Sequence, residues 1–103
     1  MTNVPTHPQW CDRQECTVTP DRPPGAHCSR PVLLRPEDRE AMYLRVALHQ
    51  ADRPHGLPVV VCVEGYDEDR AKDPNPLALL ALSTRQATIT AHLLRRLVQR
   101  ARS

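Results

Sequence analysis

Phenylalanine is missing altogether, and the 103-residue chain carries one tryptophan and two tyrosines. A domain of this size buries a modest fraction of its surface, so a core without large rings has to be assembled from Leu, Val, Ile, Ala and Met. Glycine is scarce as well, three residues with none adjacent, which leaves no glycine-rich loop to cradle a phosphate. No apolar run approaches the ~20 residues that cross a bilayer. The opening MTNVPTHPQW has no apolar h-region of a secretory signal. These two features predict a cytoplasmic chain with no membrane partner. Charge excess is also small: 14 Lys and Arg stand against 12 Asp and Glu, formally +2, too near neutral to imply nucleic acid from net charge alone.

What the chain does have is concentrated near its start. The stretch 7–28, HPQWCDRQECTVTPDRPPGAHC, holds three of the four cysteines, two of the five histidines and the only tryptophan. Pro5, Pro8, Pro20, Pro23, Pro24, Pro31 and Pro36 block helix interiors and central strands, so residues 1–30 are expected to be an irregular arm. An arm this long does not pack unaided, and its Cys and His side chains are what could tie it down.

In a reducing compartment clustered cysteines are more often metal ligands than disulfides. A structural zinc takes four thiolate or imidazole ligands in a tetrahedron. His7, Cys11 and Cys16 form a compact first cluster, and Pro23-Pro24-Gly25 would turn the chain back to bring in a fourth donor. His27 and Cys28 are adjacent, so their side chains diverge and one of the two completes the set. His27 is favoured and Cys28 is the alternative. Trp10 would shield one side of the ion or pin the arm to the sheet. The spacing has no paired CxxC of a zinc finger, and a disulfide (Cys11 with Cys16 or Cys28) or free thiols in a loose arm remain open at this point.

Beyond the arm, Pro31–Arg35 reads as a short edge strand and Pro36-Glu37-Asp38 as a turn. In residues 41–51, Met42, Leu44, Val46 and Leu48 alternate with Tyr43, Arg45, Ala47 and His49, which is strand periodicity. Glu37, Asp38 and Glu40 after Pro36 also resemble a helix start. The strand is preferred because the turn at 52–56 leads into Pro58–Val63, the clearest strand in the chain, which needs a hairpin partner. Gly65 is expected to end that strand, residues 66–76 to form a charged loop, and Leu77–Leu82 to add a further strand despite poor β-propensity. Ser83 is an apt N-cap with Gln86 completing a capping box. It opens a helix over 84–101 with Ala87, Ala91, Leu94 and Val98 on its apolar face. The sum is one α+β domain over 1–103: a metal-binding arm (1–30), an antiparallel meander of three or four strands (31–83), and one C-terminal helix packed on the sheet.

The arm resembles the opening of a family of small, uncharacterised actinobacterial proteins. Their chains begin with a Cys-Pro-x-Trp-Cys or His-Pro-x-Trp-Cys element, then another Cys or His, then a His-Arg-Ser-like element before the first strand. The matching residues here are His7-Pro8-Gln9-Trp10-Cys11, then Cys16, then His27-Cys28-Ser29, and Leu82–Ala87 resembles the strand-to-helix passage at the family's C-terminal end. Cys28 stands where the family more often has Arg, so the resemblance implies His27 as the ligand. It carries no assigned activity.

Other chemistry is thin. Cys62 inside a Val-rich strand reads as a small buried hydrophobe, and His49, His55 and His92 are scattered. Asp67-Glu68-Asp69 and Asp73 lack the glycine and spacing of an EF-hand. No Ser/His/Asp or Cys/His arrangement stands out, and the expectation is a non-enzyme. The helix is the remaining lead. Arg85, Arg95, Arg96, Arg100 and Arg102 follow one another with no acidic residue after position 84. Ile89 and His92 share that face. It could meet a protein partner, a second copy in a homo-oligomer, or, as the alternative, the phosphates of nucleic acid; the plainer reading is a solubilising surface. The function expected is a zinc-stabilised, non-enzymatic interaction domain of a regulatory or accessory kind, with the nucleic-acid-binding regulator as its alternative.

Overall fold

The structure is a computed structural model and describes residues 7–18, 25–38, 41–52, 58–68 and 75–103. The expectations placed on Pro5, Pro20, Pro23, Pro24, Glu40, His55, Asp69 and Asp73 lie outside the described residues.

The sheet grows outward from one long strand. Residues 42–51 alternate apolar and polar side chains and form β3 (Met42–Ala51), ten residues long. Both of its edges are occupied. On one side lie two three-residue strands in succession, β1 (Ala26–Cys28) and β2 (Val32–Leu34), both antiparallel to it. On the other lies β4 (Val60–Asp67), followed by β5 (Ala78–Ser83) at the far edge. The result is a five-stranded antiparallel sheet with one C-terminal helix, an α+β fold. The helical alternative for 41–51 loses because a strand here satisfies its main-chain donors and acceptors on both sides, and the β-branched run of β4 offers the partner.

Two features depart from the sequence-based boundaries, while the strand expected at Leu77–Leu82 is present as β5. Residues 26–28, assigned to the irregular arm, form β1, because β3 supplies a ladder that three residues have no periodicity to announce. β4 runs through Gly65 instead of ending there. Gly65 is held between Leu44 and Ala78 in register, and a Cβ on it would sit in ordinary contact at 3.8 Å from Leu44 and 3.9 Å from Ala78. The ladder on both sides outweighs the entropic cost of a strand glycine. β5 forms despite its Ala and Leu content, since pairing with β4 overrides propensity.

Register fixes which side chains share a face, because paired residues point the same way and neighbours along a strand alternate. One face carries the row Val32, Val46, Val63, Leu80 across β2 to β5 and a second row Leu34, Leu44, Gly65, Ala78. The other carries Arg45 with Glu64, Ala47 with Cys62 and Ala81, and Tyr43 with Tyr66. The two tyrosines stack with centroids 5.2 Å apart, and Arg35 lies over Tyr43 while bonding Glu68 at 2.7 Å.

Helix α1 (Thr84–Arg102) follows β5 without an intervening residue. The Ser83 hydroxyl accepts from the Gln86 amide at 3.0 Å, and the Gln86 side-chain oxygen accepts from the Ser83 amide at 3.0 Å. This reciprocal cap satisfies two donors the first turn would otherwise leave open. Arg100 and Arg102 lie in the last turn, where the helix dipole favours positive charge. The helix packs on the sheet against β5 and β4 near its start only, beside the capped junction. Ala87 is its one half-buried residue, and all the others are exposed. Ser83→Ala is expected to cost about 1 kcal/mol and to lower helicity at the strand–helix junction. Thermal unfolding followed by far-ultraviolet circular dichroism reads both.

Candidate metal centre

The arm is shaped by local hydrogen bonds before any long-range contact is made. The Cys11 amide bonds the Pro8 carbonyl at 3.0 Å, and the Glu15 and Cys16 amides bond the Asp12 carbonyl at 3.0 and 2.9 Å. The Asp12 carboxylate accepts from the Gln14 amide at 2.9 Å, the side-chain turn that Asp makes readily. Together these wrap residues 8–16 into a compact loop that brings Cys11 and Cys16 to one side.

That loop is then fastened along the outer edge of β1. The Asp12 amide bonds the Cys28 carbonyl at 2.8 Å, and the Thr17 amide bonds the Ala26 carbonyl at 3.0 Å. The Thr17 hydroxyl returns an acceptor to the Ala26 amide at 2.9 Å. An isolated bridge joins Cys11 to Ser29. Ser29 in turn closes onto β3: its amide donates to the Leu48 carbonyl at 3.0 Å, and its hydroxyl accepts from the Leu48 amide at 2.7 Å. A side chain thus completes the ladder at the break between β1 and β2.

At the junction of arm and strand, four donor atoms converge. His7, Cys11, Cys16 and His27 place one ligand atom each within 4.8 Å of one another. Both thiols approach both imidazoles at Nδ1. Cys11 Sγ is 3.5 Å from His7 and 3.7 Å from His27, and Cys16 Sγ is 3.6 Å from His7 and 3.7 Å from His27. The imidazoles meet edge to face with centroids 5.1 Å apart. His27 is 4% exposed, the one buried polar residue among those described. This donor set could hold a metal ion.

Supporting groups surround the four. The Val18 amide points at Cys16 Sγ at 3.4 Å. The second ring nitrogen of His27 faces the Asp52 carboxylate at 3.6 Å, longer than a hydrogen bond but the arrangement by which an acidic group orients a ligating imidazole. Asp52 is itself anchored by its amide to the Gly25 carbonyl at 2.9 Å. Burial pushes the Cys11 thiol up from its ordinary value, and its hydrogen bond to Cys16 adds to the shift. Filling the site would therefore release protons.

Cys28 stands outside the group. It is half-buried on β1, its thiol directed at the Ala26 carbonyl 4.0 Å away, and burial raises its pKa. Cys62 is half-buried in β4, its pKa likewise raised by burial. All four cysteines are free thiols. His49 lies in β3, and Trp10 is half-buried beside the arm's first turn. Arg85, Ile89, His92, Arg95, Arg96 and Arg100 are all exposed on α1, far along the chain from the donors.

Two contributors to the centre, Asp52 and Glu15, carried no readable signal in the sequence. Asp52 reaches His27 only because Ala26 pairs with Ala51. Glu15, between two ligands, pairs with Arg45 of β3 at 3.1 Å, and Arg45 also reaches Glu64 at 3.5 Å. The arm is thus tied to the sheet face that carries Ala47, one of two buried apolar residues among those described, with Val18 of the arm the other. At Gly25, expected in the turn, a Cβ would collide with the Thr17 carbonyl and stand 2.6 Å from Val18 Cα, backbone atoms that have no rotamer to yield.

The fold and this site define a small α+β chain with a candidate metal centre of two cysteines and two histidines, assembled between an N-terminal loop and a sheet edge. Set against family models, curated proteins and solved structures, the chain finds no match in any of the three.

Gly25→Ala is expected to pry the arm off β1 and destabilise the chain by about 1–3 kcal/mol, the usual cost of overpacking. Differential scanning calorimetry of the two proteins measures it. A second expectation concerns Tyr66, whose hydroxyl donates to Glu64. That bond, with burial second, pushes its pKa up from 10.0 to about 12. A raised value means the folded state holds the proton more tightly, so this contribution is intact below the ordinary tyrosine value and is lost as pH climbs through the raised one. Ultraviolet difference titration should show Glu64→Gln returning Tyr66 toward the ordinary value.

Proposed function

We propose that this chain is a non-enzymatic interaction domain held together by one structural zinc ion, of a regulatory or accessory kind, bound by His7, Cys11, Cys16 and His27. The observation that carries the reading is the set of four S···N separations, 3.5 to 3.7 Å. A tetrahedron with Zn–S of about 2.3 Å and Zn–N of about 2.0–2.1 Å has S···N edges of about 3.6 Å. Two thiolates and two imidazoles suit zinc among the common divalent ions. Four protein ligands close the coordination sphere and leave no position for a substrate or an activated water, which makes the ion structural. The chain needs such a staple, since its described residues bury only two apolar side chains, and metal binding free energy is folding free energy in a domain of this kind. The interaction role is supported by the exposed helix, which offers side chains to a partner instead of to a core.

One observation favours a second reading, a nucleic-acid-binding regulator. Arg85, Arg95, Arg96, Arg100 and Arg102 are exposed on a helix without acidic residues. Binding to a duplex that falls steeply with added salt would support it; salt-insensitive capture of a protein supports the first.

Native mass spectrometry with and without a chelator tests the zinc. One zinc per chain, removed together with the folded charge-state distribution, is expected. A metal-free native mass short by two hydrogens would mean a disulfide and would overturn the reading. Cys11→Ser and Cys16→Ser should lose the ion and melt lower by more than the ~4–8 °C that 1 kcal/mol produces in a domain of this size, whereas Cys28→Ser should keep it.

A further inference from the structure

Among the described residues, two large apolar surfaces are left without a cover. The first is the sheet face opposite the one to which Glu15 of the arm is tied. Val32 is 66% exposed, Leu34 61%, Leu44 38% and Leu80 52%, and they line two cross-strand rows with Val46 and Val63 between them. The second is the apolar face of α1, where Leu93, Leu94, Leu97 and Val98 are each 49–57% exposed. At 100° per residue these four fall within one arc, while Arg85, Arg95, Arg96, Arg100 and Arg102 fill the opposite one. An apolar tract of this extent on a soluble chain marks an interaction site.

The two surfaces match each other, yet one chain cannot join them. β5 ends at Ser83 and α1 begins at Thr84. A helix that doubles back over its own sheet needs a connection of about 2–6 residues, and none is present. The Cα extents agree: the chain spans 61 × 35 × 18 Å. A ten-residue strand measures about 34 Å and a 19-residue helix about 28 Å, so the long axis is close to strand and helix laid end to end.

We propose that the occupant is a second copy of this chain, each copy laying α1 over the apolar sheet face of the other. This rests on the interaction-domain reading above, though not on the zinc. It is a reciprocal, two-fold exchange of one element, the common route to a dimer where a hinge is too short to close on itself. The fit is one of size and of chemistry. A helix of about 28 Å covers four strands at about 4.8 Å spacing. Each copy contributes both a helix face and a sheet face, enough large aliphatic side chains to reach the roughly 800 Å² per partner of a standard interface. The arginine arc stays in water on the outside. A membrane surface or an unrelated protein would cover the helix and leave the sheet face bare.

The test begins with the native mass of the full, zinc-loaded chain. Twice the 11.7 kDa of one chain is expected, and the same spectrum reports zinc per chain. A monomer that retains zinc overturns the dimer and leaves the zinc reading standing; a dimer without zinc does the reverse. Leu94→Glu with Leu97→Glu, and separately Leu34→Glu, should each weaken the dimer at least about tenfold, by analytical ultracentrifugation. Arg96→Glu on the outer arc should leave it unchanged, and circular dichroism checks that each variant is folded. Isotope-filtered nuclear Overhauser contacts in a mixed labelled dimer should join Leu94 and Leu97 of one copy to Leu34 and Leu44 of the other. Contacts confined to helix against helix would overturn the arrangement, as would a monomer that co-sediments with anionic vesicles.

Discussion

Main-chain pairing along β3 is the interaction on which the remaining structure depends. β3, the longest strand, is paired on both edges, with β1 and β2 in succession on one side and β4 on the other. β1, β2 and β4 pair with it directly, and β5 pairs with β4. The arm joins the sheet along β1 and through the Glu15–Arg45 ion pair, and the helix joins it at β5 and β4. Few of the described side chains are buried, so this molecule relies heavily on backbone hydrogen bonds. Such bonds specify register well but contribute modestly to net stability, because the unfolded chain bonds to water instead.

That weakness explains why the arm is built as it is. Loop 8–16, the bridge at Cys11 and Ser29, and the ion pair from Glu15 to Arg45 draw His7, Cys11, Cys16 and His27 to one point. Four polar groups that crowd together, one of them a buried histidine, are an expensive arrangement in themselves. An ion there turns that cost into a cross-link between the first and the central parts of the chain. The proposed zinc therefore belongs to the folding of this protein more than to any chemistry it performs. The same shortage of core lies behind the proposed exchange of helices, since a sheet with one open face is completed by the element its own chain cannot fold back.

Much of this was legible in the residues. Alternation in 42–51, the Val-rich run from Val60 and the Ser83–Gln86 box each signal their element through a local rule, and the structure has all three. The four-donor group was readable from residue type and from steps of four and five residues. β1 was not readable, because three residues carry no period. The continuation of β4 through Gly65 was hidden for another reason: glycine is a breaker locally and is tolerated where two neighbouring strands hold it.

Residue chemistry and short-range geometry were thus determined by the sequence itself: which side chains can bind an ion, where the chain caps a helix, and which segments alternate. Tertiary structure alone decided the choices that depend on who lies opposite whom. It put Asp52 behind His27 through the pairing of Ala26 with Ala51, held Gly25 against Thr17 and Val18, and left Cys28 out of the donor group. It also gave the apolar faces of sheet and helix no common interior. Strand pairing joins residues far apart in the chain at a register that no single segment encodes, and a connection of zero length sets the direction in which the next element must leave.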